Sequence, residues 1–379
     1  MKIMKKNFWI LLIVILVSGC AYNSPENEES STQSESMSNT EQKTGDFDFP
    51  EKLECEEGNV KFNCEVEIDA NLKTEKIYTA TASQCEINVE NAFDELYSEI
   101  TDYDTYEYEE KNEYGNTVQT ATYVDKNETS FSFGPMSSKL SFMKMDKMPY
   151  ILSAFRLDES YDDYNANLFS IENQLSFATR EETYSDLITL FEKIGAPTEY
   201  KYKAYALDYN TLKTEEKHED MDGNDDQSSY KKEWSSDDDA YYFVMRQCFE
   251  KLPVYHVYAE IFSTEADMNT PVQAVISSEG LESLDIEKIF TFTDKKEVIN
   301  MVSLDDVVTT VSNKYNQILG DGTYEITYVE LYYYVDLSGE TGTYEVYPCW
   351  ILKGVEMKND GESNIQIIID AQTGEELIP

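Results

Sequence analysis

Arginine and histidine are nearly missing. Only Arg156, Arg180 and Arg246, and only His218 and His256, occur in 379 residues. Three guanidinium groups leave few bidentate clamps for phosphate or carboxylate. Two imidazoles leave little from which to build a His-based triad or a His-ligated catalytic metal. Positive charge is scarce altogether, with 30 Lys and Arg against 75 Asp and Glu, a formal charge of −45. Neutralising a phosphate backbone needs clustered Lys and Arg, so no nucleic-acid partner is expected. Attraction to anionic headgroups is disfavoured for the same reason. No GxSxG, HExxH, P-loop or GxGxxG string occurs, so no catalytic residue is assigned and no cofactor is implied. No CxxC spacing exists, which removes support for a zinc ribbon or a thioredoxin-like redox site.

What is present begins with an address. Lys2, Lys5 and Lys6 form a basic start, and Phe8 to Val17 is an apolar run of ten residues, too short to span a bilayer as a helix. Val17-Ser18-Gly19-Cys20 resembles the lipobox of bacterial lipoproteins. The resemblance implies a signal peptide over residues 1–19, cleavage after Gly19, and a diacylglyceryl group on the Cys20 thiol. Buried acyl chains hold a protein at a membrane at about 0.8 kcal/mol per CH₂. Removing three Lys and no acid takes the charge from −45 to −48. Residues 20–49 read as a disordered tether, because Asn23 to Asp48 is rich in Ser, Glu, Asn, Thr and Gln and has too little apolar surface to offset ordering entropy. The expected location is the extracytoplasmic face of the cell membrane. The excess of Lys over Arg, with the lipobox, points to a Gram-positive source.

Beyond Cys20 there are five cysteines: Cys55, Cys64, Cys85, Cys248 and Cys349. An odd number cannot all pair within one chain. Cys55 and Cys64 flank a Gly58-Asn59 turn, so a 55–64 bridge across a hairpin is one expectation and five free thiols is the other.

The folded part reads as α+β, in serial units of one helix packed on an antiparallel β-meander. An N-terminal domain is expected over 50–175, a middle domain over 176–302, and a C-terminal domain over 303–379. Period-two alternation predicts strands at 60–68, 103–108, 117–124, 129–133, 199–212, 240–249, 272–277, 287–293, 324–335, 344–355 and 364–370. Helical spacing of apolar residues predicts helices at 89–100, 181–194 and 304–319, the second stopped by Gly195-Ala196-Pro197 and the third capped by Ser303 with Asp306. Residues 213–239 form a polar insertion, expected as a mobile loop. Within it Asp220, Asp222, Asn224 and Asp226 place oxygens at alternate positions, as calcium loops do, but Gly223 is misplaced for an EF-hand and Lys231 stands at its twelfth position. No metal ligand is assigned. The run Tyr324, Tyr328, Tyr332, Tyr333, Tyr334 suits sheet packing; an aromatic face for peptide or glycan is the alternative.

The third stretch resembles a PepSY domain. The residues that carry this are the helix 304–319, the strand 326–334, Tyr347-Pro348-Cys349-Trp350, and the ending from Ile367-Ile368-Ile369-Asp370-Ala371 through Thr373-Gly374-Glu375. The preceding Val272-Gln273-Ala274-Val275-Ile276, Gly280-Leu281 and Leu284-Asp285-Ile286 look similar to the tandem modules of the Gram-positive YycH and YycI proteins. PepSY domains accompany protease propeptides and exported regulators, and YycH and YycI restrain a membrane sensor kinase by contact. Neither family carries catalytic residues over. Here a lipid and a tether would replace their transmembrane helix. The resemblance implies a non-enzymatic, lipid-anchored protein that binds or regulates another envelope protein, a protease or a sensor kinase. A lipoprotein binding peptide, glycan or calcium is the first alternative. A carboxylate-dependent hydrolase is the second, although 75 acids offer so many pairs that none stands out.

Overall fold

The computed structural model describes residues 49–377 apart from 69–71, 73–76, 112–116, 135–138, 158–163, 256–270, 294–296, 319–321, 338–341 and 359–360. Cys20, the signal peptide and the tether to residue 48 lie outside the described residues, as does His256. In chain order the elements are β1 (Lys52–Glu57), β2 (Val60–Glu67), β3 (Ala80–Gln84), α1 (Val89–Leu96), β4 (Tyr103–Lys111), β5 (Thr117–Asp125), β6 (Ser130–Phe133), β7 (Leu140–Met143), α2 (Met148–Ala154), α3 (Arg180–Ile194), β8 (Tyr200–Leu207), α4 (Tyr209–Glu215), β9 (Ala240–Phe249), β10 (Leu252–Tyr255), β11 (Val272–Ser277), β12 (Gly280–Ile286), β13 (Phe290–Phe292), α5 (Leu304–Tyr315), β14 (Thr323–Asp336), β15 (Tyr344–Lys358), β16 (Gly361–Asp370) and β17 (Glu376–Leu377). Strands dominate this mixed α and β chain.

The strands form two connected sets of ladders. One set runs β4-β5-β6-β7-β12-β11-β9-β8, antiparallel throughout. The other is centred on β14 and β15: β1 pairs β2, β2 pairs β14 in parallel, β14 pairs β15, and β15 pairs β16, which ends against β17. The start of β15 also pairs β3, which pairs β13, and the end of β14 takes β10 in parallel. β9 and β10 are antiparallel neighbours that join the two sets.

The expected units do not each build their own sheet. β1 and β2 come from the first stretch yet pair with β14, and β7 of the first pairs with β12 of the second. A parallel ladder needs no local turn, so nothing near Val60 in the sequence announces a partner at Tyr324. Once paired, the hairpin is clamped. Gly58 takes φ +68° in the turn, Asn59 N donates to Asn316 Oδ1 at 2.8 Å, and Asn316 Nδ2 donates to the Glu57 carbonyl at 3.0 Å.

The helices form where caps and apolar stripes coincide. α5 begins at Ser303, whose hydroxyl accepts from Asp306 N while Asp306 Oδ2 accepts from Ser303 N. Leu304, Val307, Val308, Val311 and Tyr315 then lie against Ile326, Val329, Leu331, Trp350, Leu352, Ile367 and Ile369. α3 carries the same reciprocal box on Thr179 and Glu182 and ends on Gly195 at φ 77°. α1 and α3 cover one face of the eight-stranded ladder; α2, α4, Phe155 and Phe169 cover part of the other.

Two local expectations fail for local reasons. The strand expected over 199–212 stops at Leu207, because Asp208 Oδ1 accepts from Asn210 N at 3.2 Å and Thr211 N at 3.1 Å and starts α4. The stretch 213–239, expected as a mobile loop, is pinned by Glu216. Its buried carboxylate contacts His218 Nε2 at 2.9 Å and accepts from Lys231 N at 2.8 Å and Trp234 Nε1 at 2.9 Å, while Lys231 sits over the Tyr150 and Trp234 rings.

Candidate functional site

The eight-stranded ladder brings one chemically distinct row together. Its register sets Tyr106 opposite Thr122, Thr122 opposite Ser132, Ser132 opposite Ser141, Ser141 opposite Asp285, and Asp285 opposite Gln273. Cross-strand partners share a face, so six polar side chains from six strands line up. Tyr108 and Thr120 lie beside the row's outer end. The face is the one opposite α1 and α3, whose side of the same strands carries Phe131, Leu140, Phe142 and Leu284. Alternation explains this: Ser130-Phe131-Ser132-Phe133 and Leu140-Ser141-Phe142 give their large residues to one face and their hydroxyls to the other. The core beneath α2 reaches Met143 at its rim and contains no residue of β4, β5 or β6.

Asp285 is the charged member. Burial pushes its carboxyl up, a hydrogen bond with Ser141 pulls it down, and Glu287 raises it further against Lys139; the net direction is up. A raised folded-state value means that ionisation opposes folding. The penalty is absent below the unfolded carboxylate range, about 3.9, and grows as pH rises through the folded value. Asp285→Asn is therefore expected to raise the melting temperature at pH 7–8, with the difference closing towards about pH 4. A lower melting temperature at neutral pH would contradict this account. Tyr242, whose hydroxyl donates to Gln273 Oε1 at 2.6 Å, feels the same carboxylate.

β4 forms the outer edge. It is nine residues long and pairs with no described strand but β5. Residues 101–109 are all exposed, Tyr106 at 49% and Tyr108 at 46%. Asp104, Glu107 and Glu109 make this edge acidic.

The residues singled out from sequence are placed differently. Cys55 and Cys64 do lie on one hairpin, but Cys55 faces Phe62 and Cys64 faces Leu53. They are diagonal neighbours, about 7–8 Å apart in such a ladder, beyond the usual disulfide span. Both are free thiols, and burial pushes the Cys64 thiol up to about 11. The Asp220 carboxylate accepts from Asp222 N, Asn224 N and Asn224 Nδ2, and Asp226 accepts from Ser228 and Ser229, so the loop's own donors occupy these oxygens. His218 stacks edge-on against Tyr150 and Tyr230. The Tyr run is sheet packing: Tyr324 and Tyr333 face α5, and Tyr332 and Tyr334 are buried on the opposite face beside Tyr255. Two carboxylate pairs are each held by a lysine. Glu67 and Glu330 share Lys201 at 2.9 and 2.7 Å, and Glu279 and Glu282 meet Lys147 at 3.0 and 3.7 Å. The polar row escaped sequence reading. Its signal was the small hydroxyl residues at alternate positions of 120–122, 130–132 and 141, which look like ordinary solvent-facing strand positions until the strands are aligned.

No protein-family model matches this chain, and no curated protein matches it. Among solved structures, the 1.45 Å crystal structure of an uncharacterized protein from Eubacterium rectale ATCC 33656 covers 87% of this chain and 94% of its own, with a TM-score of 0.60 and 15% identity. The YpeB C-terminal domain of Bacillus megaterium covers 76% of this chain and 93% of its own, at a TM-score of 0.29 and 10% identity, too low to carry an argument. What these comparisons establish is that the chain shares its fold with the Eubacterium protein.

Proposed function

We propose that this is a non-enzymatic lipoprotein, anchored through Cys20 on the extracytoplasmic face of the membrane, that holds an envelope protein by its β4 edge. The observation that carries this reading is the length of β4, which among the described residues pairs with β5 alone. Long edges present a row of unpaired N–H and C=O groups, and proteins normally shorten or cover them. An extended segment adding to β4 would gain main-chain hydrogen bonds. Its charge follows from Asp104, Glu107 and Glu109: the segment is basic. A membrane sensor kinase or a protease with such a segment is the partner class, which agrees with the PepSY-like order of α5 followed by the antiparallel β14, β15 and β16.

A photocrosslinking residue at Thr105 in the full chain tests this in cells. The expected product is a covalent adduct with a membrane kinase or protease, its yield reduced about tenfold or more by Glu107→Lys with Glu109→Lys, a loss of about 1.4 kcal/mol. The adduct should also fall when Cys20→Ala releases the chain from the membrane fraction. An adduct unchanged by charge reversal, or none, would sink the edge as the contact.

A further inference from the structure

We propose that the row from Tyr106 to Gln273 is a binding face for a linear, uncharged polysaccharide. This site lies on the flat of the sheet and is independent of the β4 edge as a protein contact.

Three observations select that ligand. First, Tyr106 and Tyr108 point to one face, two residues apart, so their rings are spaced about 7 Å along the strand. Both are about half exposed, and among the described residues neither ring packs against another aromatic. Exposed rings of this kind offer platforms for the C–H faces of sugar rings. Second, Thr122, Ser132 and Ser141 follow at steps of about 4.8 Å, one per strand, and Asp285 and Gln273 complete a track about 24 Å long. Each hydroxyl both donates and accepts, which matches a ligand whose own groups are hydroxyls. The Asp285 carboxylate accepts from sugar hydroxyls without needing a cation. Third, the charge is wrong for acidic polymers. Asp104, Asp285 and Glu287 share this face, and the nearby Lys139 is paired with Glu287 at 2.8 Å. A peptide is disfavoured because the central track offers small polar groups rather than pockets for side chains.

The test is calorimetric titration of the full chain in detergent with cellohexaose and chitohexaose, using dextran sulfate as the charged control. At least one hexasaccharide is expected to bind. Affinity should fall about tenfold or more in Tyr106→Ala with Tyr108→Ala, and again in Asp285→Asn. Asp285→Asn is expected to be the better-folded protein at neutral pH, so its loss of binding cannot be blamed on unfolding. Glu107→Lys with Glu109→Lys, whose side chains lie on the other face, should leave sugar binding intact. That separates this proposal from the protein contact. Absence of binding to both hexasaccharides at about 10 mM, about ten times the top of the usual range for small-molecule sites, binding indifferent to Asp285→Asn, or equal binding of dextran sulfate would each overturn it.

Discussion

Gly354→Ala is expected to destabilise the protein by about 3 kcal/mol or more, the upper end of what overpacking costs. A Cβ at this position would stand 2.1 Å from the Glu325 carbonyl oxygen and 2.9 Å from the Ile326 Cα. Both are backbone atoms of β14, so no side-chain rotation relieves the contact. Nor is β14 free to retreat. Gly354 faces Ile326, and Ile326 is held on its other side by Phe62 of β2. The ladder slips by one residue immediately afterwards, where Thr327 is left out between Ile326 and Tyr328. Glycine at 354 is what allows the strands to close beside that bulge. Urea titration should show a much lower midpoint. Gly280→Ala is the control: its Cβ meets open space at φ +96°, so the cost is backbone strain alone, about 1 kcal/mol. Equal midpoints for the two variants would mean that β14 yields more easily than its double pairing implies.

Lys201→Met is expected to cost about 2 kcal/mol at neutral pH, and the loss should shrink on acidification. Lys201 reaches from β8 to two carboxylates on adjacent strands of the other ladder, Glu330 Oε1 at 2.7 Å and Glu67 Oε2 at 2.9 Å. Glu330 is nearly inaccessible, at 4% exposure. Breaking a buried pair by removing one partner typically costs about 3–5 kcal/mol, reduced here because the Lys201 side chain is half exposed and water can partly replace it. The pH dependence follows from Glu330. Burial pushes its carboxyl up, Lys201 pulls it down, and the net direction is up. Without Lys201 it rises further. A raised carboxyl favours the native state below the unfolded carboxylate range and loses that contribution as pH rises through the folded value. The variant should therefore approach wild-type stability near about pH 4 and diverge above it. Adding Glu330→Gln should recover much of the loss at pH 7, since the carboxylate left behind is the source of the penalty. A loss constant across pH 4–8, or no recovery in the double variant, would mean that Lys201 acts by packing its stem instead.

How much was legible can be judged element by element. β9 and β11 were read with their boundaries intact, and α3 was one residue short, because period-two or helical patterning ran between clear stops. α5 was read from its capping box, but its predicted end ran on past Tyr315. β3, β10 and α2 went unread. They have only five, four and seven residues, too few for a periodic pattern to mark them. The polar row is the extreme case. Thr122, Ser132, Ser141 and Asp285 are individually unremarkable solvent-side positions, and only the register makes them one surface.

By itself the sequence determined the acidic balance, the scarcity of His and Arg, the capping of the main helices and the faces of most strands. Those properties depend on residue type and on spacing over a few positions, where torsional preference and amphipathic periodicity act. Tertiary structure alone decided that β2 lies beside β14, that Lys201 ties two ladders, that Cys55 misses Cys64 by two residues of register, and that six polar residues share a line. Each of these depends on which distant strands meet and in what register. That choice is made by the packing of whole faces, and no short stretch of chain carries it.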